Sequence, residues 1–138
     1  MHNAAMENAV DRSLLPSLRS LRMAAALTGA AGVAAGAFGA HALRSTLDAA
    51  HLATWQTAVQ YLFWHVLAAL IALHWPVRDS GRSARGAALC FLVGVLCFSG
   101  SLFALALSAP RWLGALTPVG GLVLIGGWGL LARTAWRP

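Results

Sequence analysis

The chain has 138 residues, 59% of them hydrophobic and 10% charged, with a formal net charge of +6. A soluble domain of this length has too much surface for its volume to hide so much apolar area. The positive charge does not point to nucleic acid either, because all ten basic residues are arginines placed at the ends of apolar runs, not gathered into a patch or stripe. Four runs of about 20 apolar residues fit, each long enough to cross a hydrocarbon core of about 30 Å as a helix. They are 23–43, 55–75, 86–108 and 113–132. The expected fold class is all-α: a polytopic four-helix transmembrane bundle over 22–133, with polar tails at 1–21 and 134–138.

The tail 1–21 is mixed and polar, and predicts no more than a short interfacial turn near Leu14–Leu21. Ala40-His41-Ala42 has the look of a signal-peptidase site. The apolar run before it is longer than the usual 7–15 residues and three more spans follow, so retention as a membrane helix is expected. Arg19 and Arg22 precede this first span. At 100° per residue Gly29, Gly32, Gly36 and Gly39 share one face, with Gly32 and Gly36 forming a GxxxG pair, which predicts close helix approach. That face is expected to serve packing inside the bundle, with homodimerisation as the other use.

After a short loop, Asp48 is placed to cap the second helix. In this span Thr54, Thr57, Ala58, Tyr61, His65, Ala68, Ala69 and Ala72 share a face that should point inward, with Leu62, Phe63, Val66, Leu67 and Leu70 elsewhere, toward lipid. Gln56 and Gln60 form an i, i+4 pair on another face, near the outer end of the span. Trp55 and Trp75 bracket the span like an aromatic belt.

The loop 76–85 carries Arg78, Arg82 and Arg85. The third span holds Cys90 and Cys97, separated by about 10 Å along one helix, beyond disulfide reach. Its outer half carries Ser99-Gly100-Ser101. Thr117-Pro118 reads as an N-cap followed by proline at the first helical position, after an interfacial turn over 112–116. Gly120 and Gly121, then Gly126, Gly127 and Gly129, make a second glycine-rich helix, expected to approach the first. Arg133 and Arg137 end the chain. The N-terminal tail, the middle loop and the C-terminal tail hold eight of the ten arginines. The positive-inside rule therefore predicts both termini in the cytoplasm.

GAFGAHALR, LATWQTAVQY with His65 just after it, SGSLFALALS and LTPVGG together resemble the small four-helix membrane proteins of the domain-of-unknown-function 423 family, over roughly Leu21–Ala132. The resemblance implies a multi-pass protein of the bacterial inner membrane and brings no biochemical mechanism.

This topology collects His41, Thr57, Tyr61, His65, Ser99, Ser101 and Thr117 in the outer half. Polar groups at membrane depth each need a partner, so they are functional candidates and also candidates for tying helices together. Bis-histidine haem is disfavoured because His41 and His65 differ by about 10 Å in depth. Similarity in size to the small multidrug antiporters would imply a membrane-embedded carboxylate. Glu7, Asp11, Asp48 and Asp79 all lie outside the spans. No metal-ligand spacing and no nucleophile–base pairing occurs. Neither cofactor nor metal is expected. The expected partners are the bilayer and other membrane helices, including a second copy. The reading is a non-enzymatic accessory or assembly component. The alternative is a small-solute channel or transporter using the cluster around Tyr61 and His65.

Overall fold

The computed structural model describes residues 16–75 and 82–136. The expectations for Arg78, Arg137 and most of the N-terminal tail lie outside the described residues. Four helices follow in order: α1 (Leu18–His41), α2 (Ala49–His74), α3 (Arg82–Ala106) and α4 (Leu116–Trp136), with short 3₁₀ turns at Leu43–Ser45 and Arg111–Ala115. All four spans are long and apolar enough to cross a membrane.

Local chemistry sets the helix ends. The Ser17 hydroxyl accepts from the Ser20 amide at 3.1 Å, so α1 starts at Leu18, inside the segment read as tail. α4 likewise continues to Trp136, past the expected end of its span. The Asp48 carboxylate accepts from the His51 amide at 2.8 Å, as the sequence predicts, and starts α2 six residues before the expected span. Trp75 is extended because Pro76 follows it. α3 closes in a Schellman arrangement: Ala109 N–H donates to Ala104 C=O and Ser108 N–H to Leu105 C=O. The left-handed position that usually takes glycine is filled by Ser108 at φ 65°.

The Asp48 cap carries a pH prediction. The His51 amide and then its imidazole, 2.8 Å away, hold the Asp48 carboxyl below its ordinary 3.8. A lowered carboxyl favours the fold fully above the ordinary value, and that contribution disappears as pH falls through the lowered one. Protection of the amides in the first turn of α2, taken relative to their intrinsic exchange rates, is therefore expected to fall below about pH 4, with the fall absent in Asp48→Asn.

α2 and α3 form the middle of the bundle, with α1 packed on α2 and α4 packed on α3. The glycine-mediated contact expected between the first and last helices is corrected: α1 and α4 occupy opposite edges. The glycines of α1 receive side chains of α2. A Cβ at Gly32 would fall 2.5 Å from Leu62, and one at Gly39 would fall 2.6 Å from the Trp55 ring, while Gly29 and Gly36 meet Val66 and Val59 at ordinary contact distance. The glycines of α4 serve α3 in the same way. Gly120 lies against the Phe98 backbone, Gly127 against Phe91, and a Cβ at Gly121 would fall 3.8 Å from the Phe98 ring.

Because α2 has neighbours on both sides, Leu62 and Val66 are buried and do not face lipid. Trp55 is corrected too. It is only 7% exposed, so it belongs to the interior, whereas Trp75 at 39% keeps an exposed position. Arg22 does more than bias topology, since its guanidinium donates to the Leu73 carbonyl at 3.1 Å and satisfies the C-terminal end of α2.

Candidate functional site

Tyr61 and His65, one turn apart on α2, do lie together. Their rings are 5.7 Å apart and nearly parallel. Tyr61 stacks on Phe98 of α3 at 4.5 Å, and His65 meets Phe91 of α3 at 5.8 Å and the edge of Trp128 of α4 at 6.2 Å. Phe91 and Trp128 are themselves edge-on at 5.1 Å. These five rings join three helices, an arrangement in which offset and edge contacts add to simple packing. His65 is buried, and its Nδ1 lies 2.8 Å from the Tyr61 carbonyl of its own helix. A carbonyl only accepts, so Nδ1 carries the proton and donates, and the free lone pair of a neutral ring is on Nε2.

The other hydroxyls go elsewhere. Ser101 donates to the Phe98 carbonyl at 2.9 Å and sits 2.7 Å from the Thr117 hydroxyl. With its own proton committed, Ser101 accepts from Thr117, and the pair links α3 to α4. Thr117 is thus a side-chain bridge in the first turn of α4, not its N-cap, because the preceding 3₁₀ turn lets the helix begin at Leu116. Pro118 is tolerated there, where the backbone N–H has no intrahelical acceptor. The Ser99 hydroxyl is buried with no partner among the described residues. Thr57 faces outward and donates to Ala53 C=O of its own helix at 3.0 Å, contrary to the inward position expected of it. His41 is exposed at the end of α1.

The seven polar candidates therefore separate into an aromatic stack, a hydroxyl bridge, one isolated buried hydroxyl and two outward residues. Among the described residues no three His, Cys, Asp or Glu side chains come together, and Cys90 and Cys97 are free thiols.

Sequence reasoning missed a second polar–aromatic group of the outer half. Trp55 Nε1 donates to the Ala35 carbonyl of α1 at 2.9 Å, and its ring lies 4.5 Å from Phe103 of α3 and 6.0 Å from Phe38 of α1. The signal was Gly39, whose missing side chain leaves the seat for the indole. Beside it a groove of about 260 Å³ opens between α1 and α2, lined by Gly36, Gly39, Ala40, Trp55, Gln56, Val59 and Gln60. None of the seven expected residues lines it.

Comparison with known proteins agrees with this architecture. The family described as "Protein of unknown function (DUF423)" matches residues 35–121, from the second half of α1 into α4. A UPF0382 membrane protein of Staphylococcus haemolyticus is 41% identical over 105 residues, covering 76% of this chain and 85% of the relative. A UPF0382 membrane protein of Schizosaccharomyces pombe is 42% identical over 111 residues, with 75% and 91% covered. The UPF0382 inner membrane protein YgdD of Escherichia coli is 37% identical over 119 residues, with 86% and 91% covered. No solved structure matches the chain. Four membrane-length helices, relatives that are themselves membrane proteins and a family match over most of the chain lead to one assignment: the protein is a multi-pass membrane protein belonging to the DUF423 family.

Proposed function

We propose that this protein is a non-enzymatic packing component of the bacterial inner membrane, both termini in the cytoplasm, that works by presenting its edge helices to other membrane helices. The observation that carries the reading is the uneven burial of the four spans. In the most apolar stretches of the first and fourth spans 17% is buried, against 44% and 39% in the second and third. Two edge helices thus offer most of their circumference to the membrane. Tyr61, His65, Ser101, Thr117 and Thr57, meanwhile, are spent on ties between helices or on their own backbone. The orientation is supported by Arg19, Arg22, Arg82, Arg85 and Arg133 lying at one end of the helices and Arg44 and Arg111 at the other. The E. coli relative's description as an inner membrane protein supports the location.

The test is affinity capture of the tagged full chain in mild detergent, with reporter tags on both termini fixing orientation. A membrane-protein partner, or a second copy, retained through washing is expected. Tyr61→Ala and His65→Ala should lower thermal stability, by about 2–4 kcal/mol for the buried ring losses, while the folded fraction keeps its partner. A chain that stays alone in mild detergent and in bilayers would overturn the reading. Reporters found active outside the cell would overturn the orientation.

A further inference from the structure

The groove between α1 and α2 holds an amide at a depth where water does not reach. The apolar span of α2 is 55–75, so its midpoint lies at His65, and the first turns of the helix extend beyond that span to the Asp48 cap. At 1.5 Å per residue Gln60 lies about 8 Å, and Gln56 about 14 Å, from that midpoint along the axis. The half-thickness of the hydrocarbon is about 15 Å, so Gln60 is inside it and Gln56 is at its outer boundary. Both side chains are exposed on the outer surface of α2, and neither has a partner among the described residues. An unpaired amide in hydrocarbon is strongly unfavourable, and acyl chains bring neither donors nor acceptors to satisfy it.

We propose that this groove is where a second copy of the chain docks, α2 against α2, with the two Gln60 amides paired across a two-fold axis along the membrane normal. Such an axis keeps orientation and depth, so each residue meets its own height in the other copy, Gln60 with Gln60 and Gln56 with Gln56. A primary amide both donates and accepts, and is its own complement. An unlike helix would have to carry a matching polar group at the same depth. The second copy carries one by construction. Gly36 and Ala40 in the α1 wall, beside the Gly39 seat that Trp55 fills, keep that wall low and let a facing helix come close. Leu67 and Ile71, 55% and 54% exposed, continue the outer stripe of α2 toward its other end. The inference rests on the packing-component reading, adds the exposed face of α2 beside edge helix α1 to the surfaces that dock, and names the first partner as the protein itself.

The experiment uses the full chain in phosphatidylethanolamine–phosphatidylglycerol bilayers, in a Cys90→Ala, Cys97→Ala background. With Gln60 intact, Gln56→Cys is expected to form a disulfide-linked dimer on mild oxidation, while Ile125→Cys on the outer face of α4 stays monomeric. By energy transfer between labelled copies, Gln60→Leu should weaken self-association about tenfold or more, and Gln60→Asn, which keeps an amide, by less. Both substitutions sit on an exposed face, and an unchanged unfolding midpoint in SDS checks that each variant still folds. A wild-type chain that remains monomeric on dilution, a Gln60→Leu dimer as tight as wild type, or equal linkage through Ile125→Cys would each overturn the proposal. So would an unlike membrane protein whose capture depends on Gln60 while the chain itself stays monomeric. That last result would leave the packing-component reading standing.

Discussion

Gly120→Ala is expected to destabilise the bundle by about 3 kcal/mol, at the upper end of overpacking substitutions, although it adds a single methyl group. The new Cβ would lie 2.5 Å from the Phe98 amide nitrogen and 2.9 Å from its Cα. A clashing side-chain end can rotate away, but a helix backbone cannot, so relief requires α3 and α4 to separate. Separation loosens every contact along that seam together. Gly127 against Phe91, Leu124 in the space left by Gly94 and the 2.7 Å Ser101–Thr117 bond all depend on the same spacing. In lipid this matters more than in water, because helices associate through close contact and hydrogen bonds with little hydrophobic drive. Gly126→Ala is the control. Nothing lies within 4 Å of its would-be Cβ, and alanine is the better helix former, so a change within about 0.5 kcal/mol or a slight gain is expected. Reversible unfolding in SDS mixed micelles measures both. Equal midpoints for the two variants would show that α3 and α4 do not meet at Gly120.

Trp55→Ala should have the next largest effect, about 3 kcal/mol, and it should be felt mainly by α1. The indole fills the seat above Gly39, donates to the Ala35 carbonyl and packs at a tilt against the Phe103 ring, so one side chain ties α1 and α3 to α2. α1 has few other anchors. It rests chiefly on α2, with Arg22 holding the far end through the Leu73 carbonyl. Amide exchange over 35–41 is expected to accelerate strongly in Trp55→Ala. Trp55→Phe keeps a ring against Phe103 and loses the N–H bond, a cost of about 0.6 kcal/mol by analogy with interhelical hydrogen bonds in other membrane proteins. The contact also predicts coupling. Gly39→Ala alone drives a methyl to 2.6 Å from the indole, whereas in the Trp55→Ala background the space is free. The double variant should therefore be more stable than the sum of the two losses allows. Strict additivity would mean that Trp55 does not occupy the Gly39 seat.

Class and element number were readable because they follow from one-dimensional quantities. Apolar run length set against membrane thickness gives four spans, and the Asp48 cap is a local bond between residues three apart. Family membership was readable from short motifs. The partners of the two glycine helices were not. A glycine face announces that something will come close without saying which helix, and here each face was taken by the neighbour next in sequence, joined through a short connection. The seven-residue polar cluster failed for a related reason. Lying in the same half of the bundle does not bring side chains together unless their faces converge, and Thr57 and His41 are exposed.

Solvent, helix count and helix ends are properties of composition and near-neighbour chemistry, and they could be read from this chain without its fold. Burial of Leu62, Val66 and Trp55, the bridge from Ser101 to Thr117, and the exposure of Gln56 and Gln60 on an open groove depend on the rotation of each helix about its axis. That rotation is settled only when all four helices pack. In a membrane the outside is as apolar as the inside, so hydrophobic pattern cannot say which face turns inward, and shape and hydrogen bonding decide.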